Sequence, residues 1–330
     1  MLSSETRRVE KHVLEWLLEE ENPSIRYLTL TRLLGRLGNE RGVVTSRRAI
    51  PEWKPIRKIL AHQRRNGSWD VGKTWYLPKY KSTLWQLILL SQTGIDSRLP
   101  AVRKMCEYSF RFQDEDGAFI SGTDVETEVD WGRLAGCLNG NVVASLCRLG
   151  WGRDRRVSRA ARHLASFQEA DGGWGCRTFG YHRKDKHSCF MGSICALEGL
   201  VEYSRNDNVN GLEEAVSRGC EFLLMHRLYK ADHHGWKVIR SDYPKLRAPW
   251  LVGYNILRGL YVLTSAGITR DERMADALDL LDTKRGKDGR WPREAPFPSA
   301  SYASFGSCGR PDKWSTLYAL QIRELVAGRG

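Results

Sequence analysis

The sequence lacks an apolar run long enough to cross a bilayer. Its most apolar stretch, residues 250–267 (WLVGYNILRGLYVLTSAG), is interrupted by Asn255 and Arg258, whereas a membrane-spanning helix needs about 20 mostly apolar residues in a row. We therefore expect no membrane span. The chain also lacks the features of a signal peptide, and this favours a cytoplasmic protein.

The chain also lacks a regular cysteine framework and a linker segment. The eight cysteines follow no regular framework, and Cys147, Cys195 and Cys220 lie inside apolar helical segments. Such usage is typical of a reduced, cytoplasmic setting. No spacer rich in Pro, Ser or Gly divides the chain, so residues 1–330 are predicted to form a single domain.

Acidic residues are too few to balance the basic ones. The chain has 52 Lys and Arg against 39 Asp and Glu, a formal net charge of +13. Such a balance suits an anionic ligand, a nucleic acid or an anionic membrane surface. No nucleic-acid recognition motif is present, so we expect no nucleic-acid partner. Much of the charge lies in segments predicted to be outer helices, where a solvated face accounts for it.

What the sequence does contain is a phrase repeated five times. A Gly precedes an aromatic residue, after a stretch with helical periodicity, at Trp69, Phe119, Trp174, Trp236 and Trp291. Steps of 50 to 62 residues separate these aromatics, which indicates a repeat protein. The phrase is interpreted as structural: the Gly adopts a positive φ, and the aromatic ring fills the gap between neighbouring repeats.

Each repeat is predicted to be a pair of helices. Six pairs are expected: Thr6–Glu20 with Ser24–Leu34, Trp53–Gln63 with Ser82–Gln92, Leu99–Gln113 with Leu138–Leu149, Asp154–Gln168 with Ser188–Tyr203, Gly211–His226 with Trp250–Ser265, and Asp271–Lys284 with Trp314–Val326. The second helix of each pair is apolar or small on nearly every face, so these helices are predicted to form an inner ring. Small inner residues such as Gly140, Gly192, Ser193, Gly253 and Ala319 allow close packing. They favour an all-α, closed (α/α)6 toroid over an open solenoid.

The phrase FQEADGGWG (residues 167–175) and its relatives resemble the repeated Gln-Trp phrases of terpenoid cyclases and of protein prenyltransferase β subunits. The resemblance covers almost the whole chain and implies the closed α/α toroid of that superfamily. It also implies an isoprenoid-handling enzyme that binds a prenyl diphosphate or polyprenyl chain inside the barrel. Prenyltransferase β subunits act with a second subunit, but nothing in this sequence marks such an interface.

A narrower match concerns zinc and diphosphate. In prenyltransferase β subunits, a Gly-Gly-aromatic turn is followed by an Arg, a Lys and then Asp-x-Cys-Tyr. Here Gly172–Trp174 is followed by Arg177, Lys184 and the run 187–190, His-Ser-Cys-Phe. The resemblance implies that Cys189 binds Zn²⁺, with His187 in place of the family Asp. It further implies Arg177 and Lys184, or Lys186, as diphosphate contacts.

Other residues of this region are also candidates. Tyr181 lies in the same basic loop and is a candidate ligand contact, because aromatic faces bind cations and apolar chains. The third zinc ligand of the family, a His, is replaced by Ser315. Cys137 opens the preceding inner helix at nearly the height of Cys189, so it is the first candidate for that ligand; Cys308, Asp312 and Asp185 are alternatives.

Class II terpene cyclases protonate an alkene with an Asp-x-Asp-Asp motif, and this chain has none. Asp130 and Glu128, in an acidic loop before the second inner helix, could serve as an acid. Inner helices and the segments before them carry more aromatic residues than a core alone demands, and together they are expected to offer a channel for a farnesyl or geranylgeranyl tail, although for any single one a place in the core is favoured. They are Trp75, Tyr76, Tyr80, Trp85, Trp131, Tyr181, Trp250, Tyr254, Tyr302 and Trp314. Two alternatives stay open: a zinc-dependent cyclase of the lanthionine type, although its Cys-His-Gly signature is absent, and a non-catalytic binding or scaffold protein.

Overall fold

The fold is helical, as the sequence predicts. The computed structural model describes residues 10–69, 74–121, 132–175, 187–205 and 211–328. These ranges contain thirteen α-helices and one sheet of two short antiparallel strands, β1 (Lys230–Ala231) and β2 (Lys237–Val238). None of the helices in the described ranges has the length and apolar composition needed to cross a bilayer.

Six helical pairs are observed, which confirms the predicted repeat. The outer helices are α1 (Lys11–Leu17), α4 (Lys54–Leu60), α6 (Pro100–Ser109), α8 (Arg155–Ser166), α10 (Glu213–Met225) and α12 (Ala275–Thr283). The inner helices are α2 (Pro23–Leu28), α5 (Thr83–Ser91), α7 (Gly136–Leu146), α9 (Phe190–Ser204), α11 (Ile256–Ser265) and α13 (Lys313–Val326). An additional helix that the sequence did not predict, α3 (Arg41–Ala49), packs on α2.

The second helix of each pair lies in the inner layer, as its apolar composition predicts. All nine residues of α5 are buried, whereas the outer helix α8 buries only one face. Inner helices touch at their backbones: a Cβ added to Gly140 of α7 would lie 2.1 Å from the carbonyl oxygen of Cys195 in α9. Only glycine permits that approach, so this residue sets the spacing of the two helices.

The repeated phrase joins the layers by a recurring set of hydrogen bonds. The indole N–H of Trp69, Trp174 and Trp291 each donates to the carbonyl ten residues earlier, at 2.7 Å. The backbone N–H of the aromatic residue donates to a polar side chain of the paired inner helix, for example from Trp174 to Ser193 Oγ at 2.8 Å. Each of these three tryptophans therefore ties its outer helix to its inner helix.

A second recurring contact joins each repeat to the next. The Gln168 side chain donates both to the carbonyl of Gly172 (2.7 Å) and to that of Ala215 in the following outer helix (2.9 Å). Gln63 and Gln113 make the same pair of bonds in their repeats. Neighbouring hairpins are thus held at a fixed spacing by one amide side chain.

The last hairpin contacts the first in the same manner. Arg285 takes the position of the bridging Gln, and its guanidinium binds Glu10 beside α1 at 2.6 Å. Lys313 at the start of α13 pairs with Glu19 at 2.6 Å, and α13 packs on residues 29–33 that continue α2. These contacts agree with the predicted ring, while complete closure of the barrel stays a prediction.

The fourth copy of the phrase departs from the pattern, and the structural role predicted for its aromatic residue is wrong. Trp236 is 42% exposed, whereas Trp69, Phe119, Trp174 and Trp291 are all at most 1% exposed. The reason is local: the chain forms the β1–β2 hairpin after α10, which carries Trp236 away from the gap between repeats.

Candidate functional site

A cavity of about 400 Å³ opens at the end of the ring where the inner helices begin. Its walls come from the first turns of α5, α7 and α9 and from the segments that precede α5, α11 and α13. Its described lining consists of Tyr76, Lys79, Tyr80, Trp85, Cys137, Cys189, Met191, Gly192, Arg247, Pro249, Leu251, Val252, Gly253, Phe297 and Pro298. A cavity of this size, largely apolar with a few polar groups, is typical of small-molecule sites.

One wall of the cavity is aromatic. The rings of Tyr76 and Tyr80 lie 5.3 and 5.0 Å from that of Trp85, and the Trp85 indole N–H donates to the Tyr76 carbonyl at 2.8 Å. Lys79 Nζ lies 5.8 Å from the centroid of the Tyr76 ring. For each of these three aromatics taken singly the sequence favours a place in the core, and the structure places all three in the cavity wall.

Arg247 is the cation of the cavity wall. Its guanidinium lies against Gly253, and among the described residues it has neither an ion-pair partner nor a hydrogen-bond acceptor. Burial, and then the charge of Arg293, lower the pKa of Arg247 below its ordinary value. Both causes disfavour the positive charge, so an anion placed beside this guanidinium would be stabilised.

The floor of the cavity is a segment, residues 249–253, that enters the ring. Trp250 exchanges two hydrogen bonds with the Gln92 side chain at the far end of α5, at 2.7 and 3.1 Å. Its ring lies 4.5 Å from that of Tyr318 in α13, and its indole N–H donates to Glu198 of α9 at 3.0 Å. Trp250 therefore lies in the middle of the ring, where the sequence predicts part of an inner helix.

A buried ionic network holds this segment. Arg258 binds Glu198 through Nε at 2.7 Å and the Asn141 side chain at 3.0 Å, and its Nη1 donates to the carbonyls of residues 251–253. Arg148 binds Glu198 from the other side and Glu202 at 2.9 Å. Burial alone would raise the pKa of Glu198, but the charges of Arg258 and Arg148 lower it to about 2. Glu198 is thus ionised and paired.

The network limits the depth of the cavity. Cys189 lines it, and the Cys195 thiol already contacts the carbonyl of Val252 in the floor at 3.6 Å. Six residues of α-helix rise about 9 Å. The floor at Val252 therefore lies about 9 Å along α9 from Cys189.

The structure brings two of the predicted metal ligands to one cavity. Cys137 and Cys189 both line it, whereas His187 is exposed to solvent. The remaining predicted site residues lie outside the described residues: Asp130, Glu128, Arg177, Tyr181, Lys184 and Lys186.

The residues described do not by themselves fit a zinc ion. A catalytic zinc site uses three protein ligands, and the described part of the chain holds no group of three His, Cys, Asp or Glu side chains suited to a metal ion. A third ligand for Cys137 and Cys189 would have to come from elsewhere, for instance from Asp185, which lies outside the described residues. Zinc binding stays a prediction.

Sequence reasoning missed Arg247. Its signal was weak, because one Arg among 52 basic residues stands out only when the fold shows which of them is enclosed. Trp75 and Trp250, for which the sequence also favours the core over the channel, are fully buried.

No protein-family model matches this chain, and no curated protein matches it. Solved structures do. A glycosyl hydrolase family 88 protein from Bacteroides vulgatus aligns with a TM-score of 0.53 at 10% identity, over 94% of this chain and 92% of that chain. A protein from Actinoplanes aligns with a TM-score of 0.46 at 17% identity, over 94% and 90%. The type II terpene cyclase MstE from Scytonema aligns with a TM-score of 0.32 at 11% identity, over 83% and 96%.

At 10% identity, the likeness to the family 88 protein shows a shared fold of α/α-toroid type and not a shared activity. The chain is therefore an α/α-toroid protein with a cavity at one end of its inner layer.

Proposed function

We propose that this chain binds an amphipathic small molecule with an anionic head, and that a short prenyl diphosphate is the best-fitting class. The observation that carries the proposal is the guanidinium of Arg247, which has no partner among the described residues, in a cavity whose described lining is otherwise aromatic and apolar apart from Lys79. An isolated half-buried cation favours an anion, and the apolar walls favour a hydrocarbon tail.

The depth of the cavity selects the length of the tail. A fully extended chain advances about 1.2 Å per bond, so an isoprene unit with four main-chain bonds spans about 5 Å. The depth of about 9 Å accommodates roughly two units. A geranyl tail fits this space, whereas the additional units of a geranylgeranyl tail would meet residues 249–253.

Hydrolysis of the kind that uses paired carboxylates has less support at this cavity. That chemistry needs two Asp or Glu side chains that flank the scissile bond, and none of the described lining residues is an Asp or Glu. The sequence resemblance of residues 167–190 to prenyltransferase β subunits also supports an isoprenoid ligand, and it does not depend on the geometry of the cavity.

Substitution of Arg247 tests the proposal. In Arg247→Gln we expect the affinity for geranyl diphosphate, measured by isothermal titration calorimetry, to fall about tenfold or more, since a charge-assisted contact is lost. Arg155→Gln, an exposed residue on the outer helix α8, should leave the affinity unchanged. Geranyl diphosphate should bind at least as tightly as geranylgeranyl diphosphate. Equal losses in both variants, or no binding of either diphosphate to the unmodified chain, would contradict the proposal.

A further inference from the structure

The fourth Gly-aromatic phrase places a tryptophan on the surface in an unfavourable backbone conformation. Trp236 has a φ of 59°, in the left-handed region that bulky residues avoid, and it follows Gly235, with a φ of 64°. Its N–H donates to the Ala231 carbonyl at 3.1 Å, and the guanidinium of Arg227 lies 4.4 Å from its ring centroid. The hairpin thus holds the indole in place without burying it, and strain of this kind is a reason to look for a function.

Other exposed apolar residues accompany Trp236. Val238 in β2 is 46% exposed, and Leu77, in the segment before α5, is 52% exposed. Large apolar side chains this exposed are few in the described part of the chain, and the others, Leu34 and Leu37, follow α2 at the opposite end of the ring. We call Leu77, Trp236 and Val238 the rim residues.

Chain connections relate the rim residues to the cavity. Leu77 is two residues from Lys79, which lines the cavity. The hairpin is closed by a bond from the Ile239 N–H to the Tyr229 carbonyl, and the chain then passes to Tyr243, whose ring lies 5.4 Å from that of Phe190. Phe190 directly follows the cavity residue Cys189. The hairpin therefore leads into the elements that form the cavity, and at its start Lys230 pairs with Asp276 of α12 at 2.7 Å.

Positive charge surrounds the rim residues. Lys79, Lys81, Lys237 and Lys245 are exposed and have no ion-pair partner among the described residues. The acidic residues nearby are already engaged: Asp242 pairs with Arg240 at 3.0 Å, and Asp232 lies 3.2 Å from the His233 ring. Segment 227–247 has six Lys or Arg against two Asp, and Asp276 pairs with its Arg227 and Lys230. The segment together with Asp276 therefore has six basic residues against three acidic ones and carries three positive charges in excess.

We propose that this end of the molecule docks on an anionic lipid surface. Exposed Trp at an interface, with Lys beside it, is the pattern by which peripheral proteins insert apolar groups among lipid headgroups while their lysines bind the anionic ones. A nucleic acid would use the lysines but gives no reason for exposed Val238 and Leu77. Docking in this orientation turns the cavity mouth toward the membrane.

Co-sedimentation of the full chain with vesicles tests the proposal. We expect binding to phosphatidylcholine vesicles that contain phosphatidylglycerol, weaker binding at high salt, and little binding to phosphatidylcholine alone. The double variant Trp236→Ala/Val238→Ser should bind the anionic vesicles roughly tenfold more weakly. Lys237→Glu/Lys245→Glu should lose at least as much, because the electrostatic attraction is reversed in sign.

The matched control is Leu34→Ala/Leu37→Ser at the opposite end, which should bind the anionic vesicles like the unmodified chain. Circular dichroism melts establish that each variant is folded. Three results would overturn the proposal: no binding of the unmodified chain to anionic vesicles, equal losses in the rim and control variants, or binding to RNA in the absence of any vesicle binding. Because prenyl diphosphate is absent from the assay, its outcome is independent of the ligand proposed for the cavity.

Discussion

Glu198 is a fully buried carboxylate between two arginines. It accepts bonds from Arg258, Arg148 and the Trp250 indole, and these partners come from different parts of the ring. A buried ion pair contributes little when compared with an apolar replacement, but removing one member leaves the other charge without compensation. Glu198 therefore fixes the position of residues 249–253 more than it adds to the total stability.

Neutralising this residue should be costly. In Glu198→Gln we expect the free energy of unfolding to fall by about 3–5 kcal/mol, because the Arg258 guanidinium stays buried without a counter-charge. Glu107→Gln, which changes an exposed partner of Arg156, should cost less than about 1 kcal/mol. Denaturant titration measures the free energy of unfolding of both variants. Equal losses in the two would show that the buried network does not stabilise the fold.

The same residue predicts a dependence on pH. Its pKa in the folded chain is about 2, below the ordinary 4.5, so its stabilising contribution is complete above pH 4.5 and is lost as the pH falls toward 2. The unmodified chain should accordingly lose stability over this range more steeply than Glu198→Gln. Parallel curves for the two proteins would contradict the depressed pKa.

At the scale of the element, the Gly-aromatic turn determines how hairpins pack. Gly172 has a φ of +85°, and a Cβ there would lie 2.4 Å from the Arg218 carbonyl oxygen in the next outer helix. Gly67 and Gly117 meet the backbones of Lys104 and Arg159 in the same way. The turn therefore needs glycine for two separate reasons, its backbone conformation and its contact with the neighbouring repeat.

A pair of substitutions separates these two reasons. Gly211 also has a positive φ, +100°, but no atom of the described residues lies within 4 Å of its added Cβ. Gly211→Ala should cost about 1–2 kcal/mol, the expense of a left-handed alanine, whereas Gly172→Ala should cost roughly 3 kcal/mol or more because it adds overpacking. Thermal unfolding of the two variants measures the difference. Similar losses would mean that the close contact with Arg218 relaxes freely.

At the scale of the whole molecule, the first and last hairpins share the contacts that link the others. Gly289 of the fifth phrase would place a Cβ 2.8 Å from Glu10 and 3.0 Å from Val13, so it packs on α1 as Gly172 packs on α10. A closed ring has no terminal repeat, and each hairpin is supported on two sides. An open array of repeats, by contrast, frays from its ends.

Substitution in α1 distinguishes a closed ring from an open array. Leu17 is fully buried, and Leu17→Ala should lower the stability of the whole chain by about 2–5 kcal/mol in a single unfolding transition. Leu37→Ala, at a residue 67% exposed, should change it by less than about 0.5 kcal/mol. Calorimetry that resolved a separate early transition in Leu17→Ala would indicate fraying of the first hairpin and an open array.

The sequence by itself determined the helical pairs, their inner and outer layers and the structural turns. These follow from local properties: the period of apolar residues fixes which face of a helix is buried, and Gly fixes where the chain can turn. It also placed Cys137 and Cys189 at the starts of inner helices, and both line one cavity; their binding of zinc stays a prediction.

Only the tertiary structure decided what fills the ring and what stays on its surface. Trp250 and its partner Gln92 are 158 residues apart in the chain, and Arg258 lies 117 residues from Asn141. No local sequence pattern marks such pairs. The sequence alone therefore does not distinguish Trp250 from other inner-helix aromatics, Arg247 from other basic residues, or Trp236 from the buried aromatics of the other turns. Burial depends on which distant segments pack together, and the periodicity of the sequence does not determine that packing.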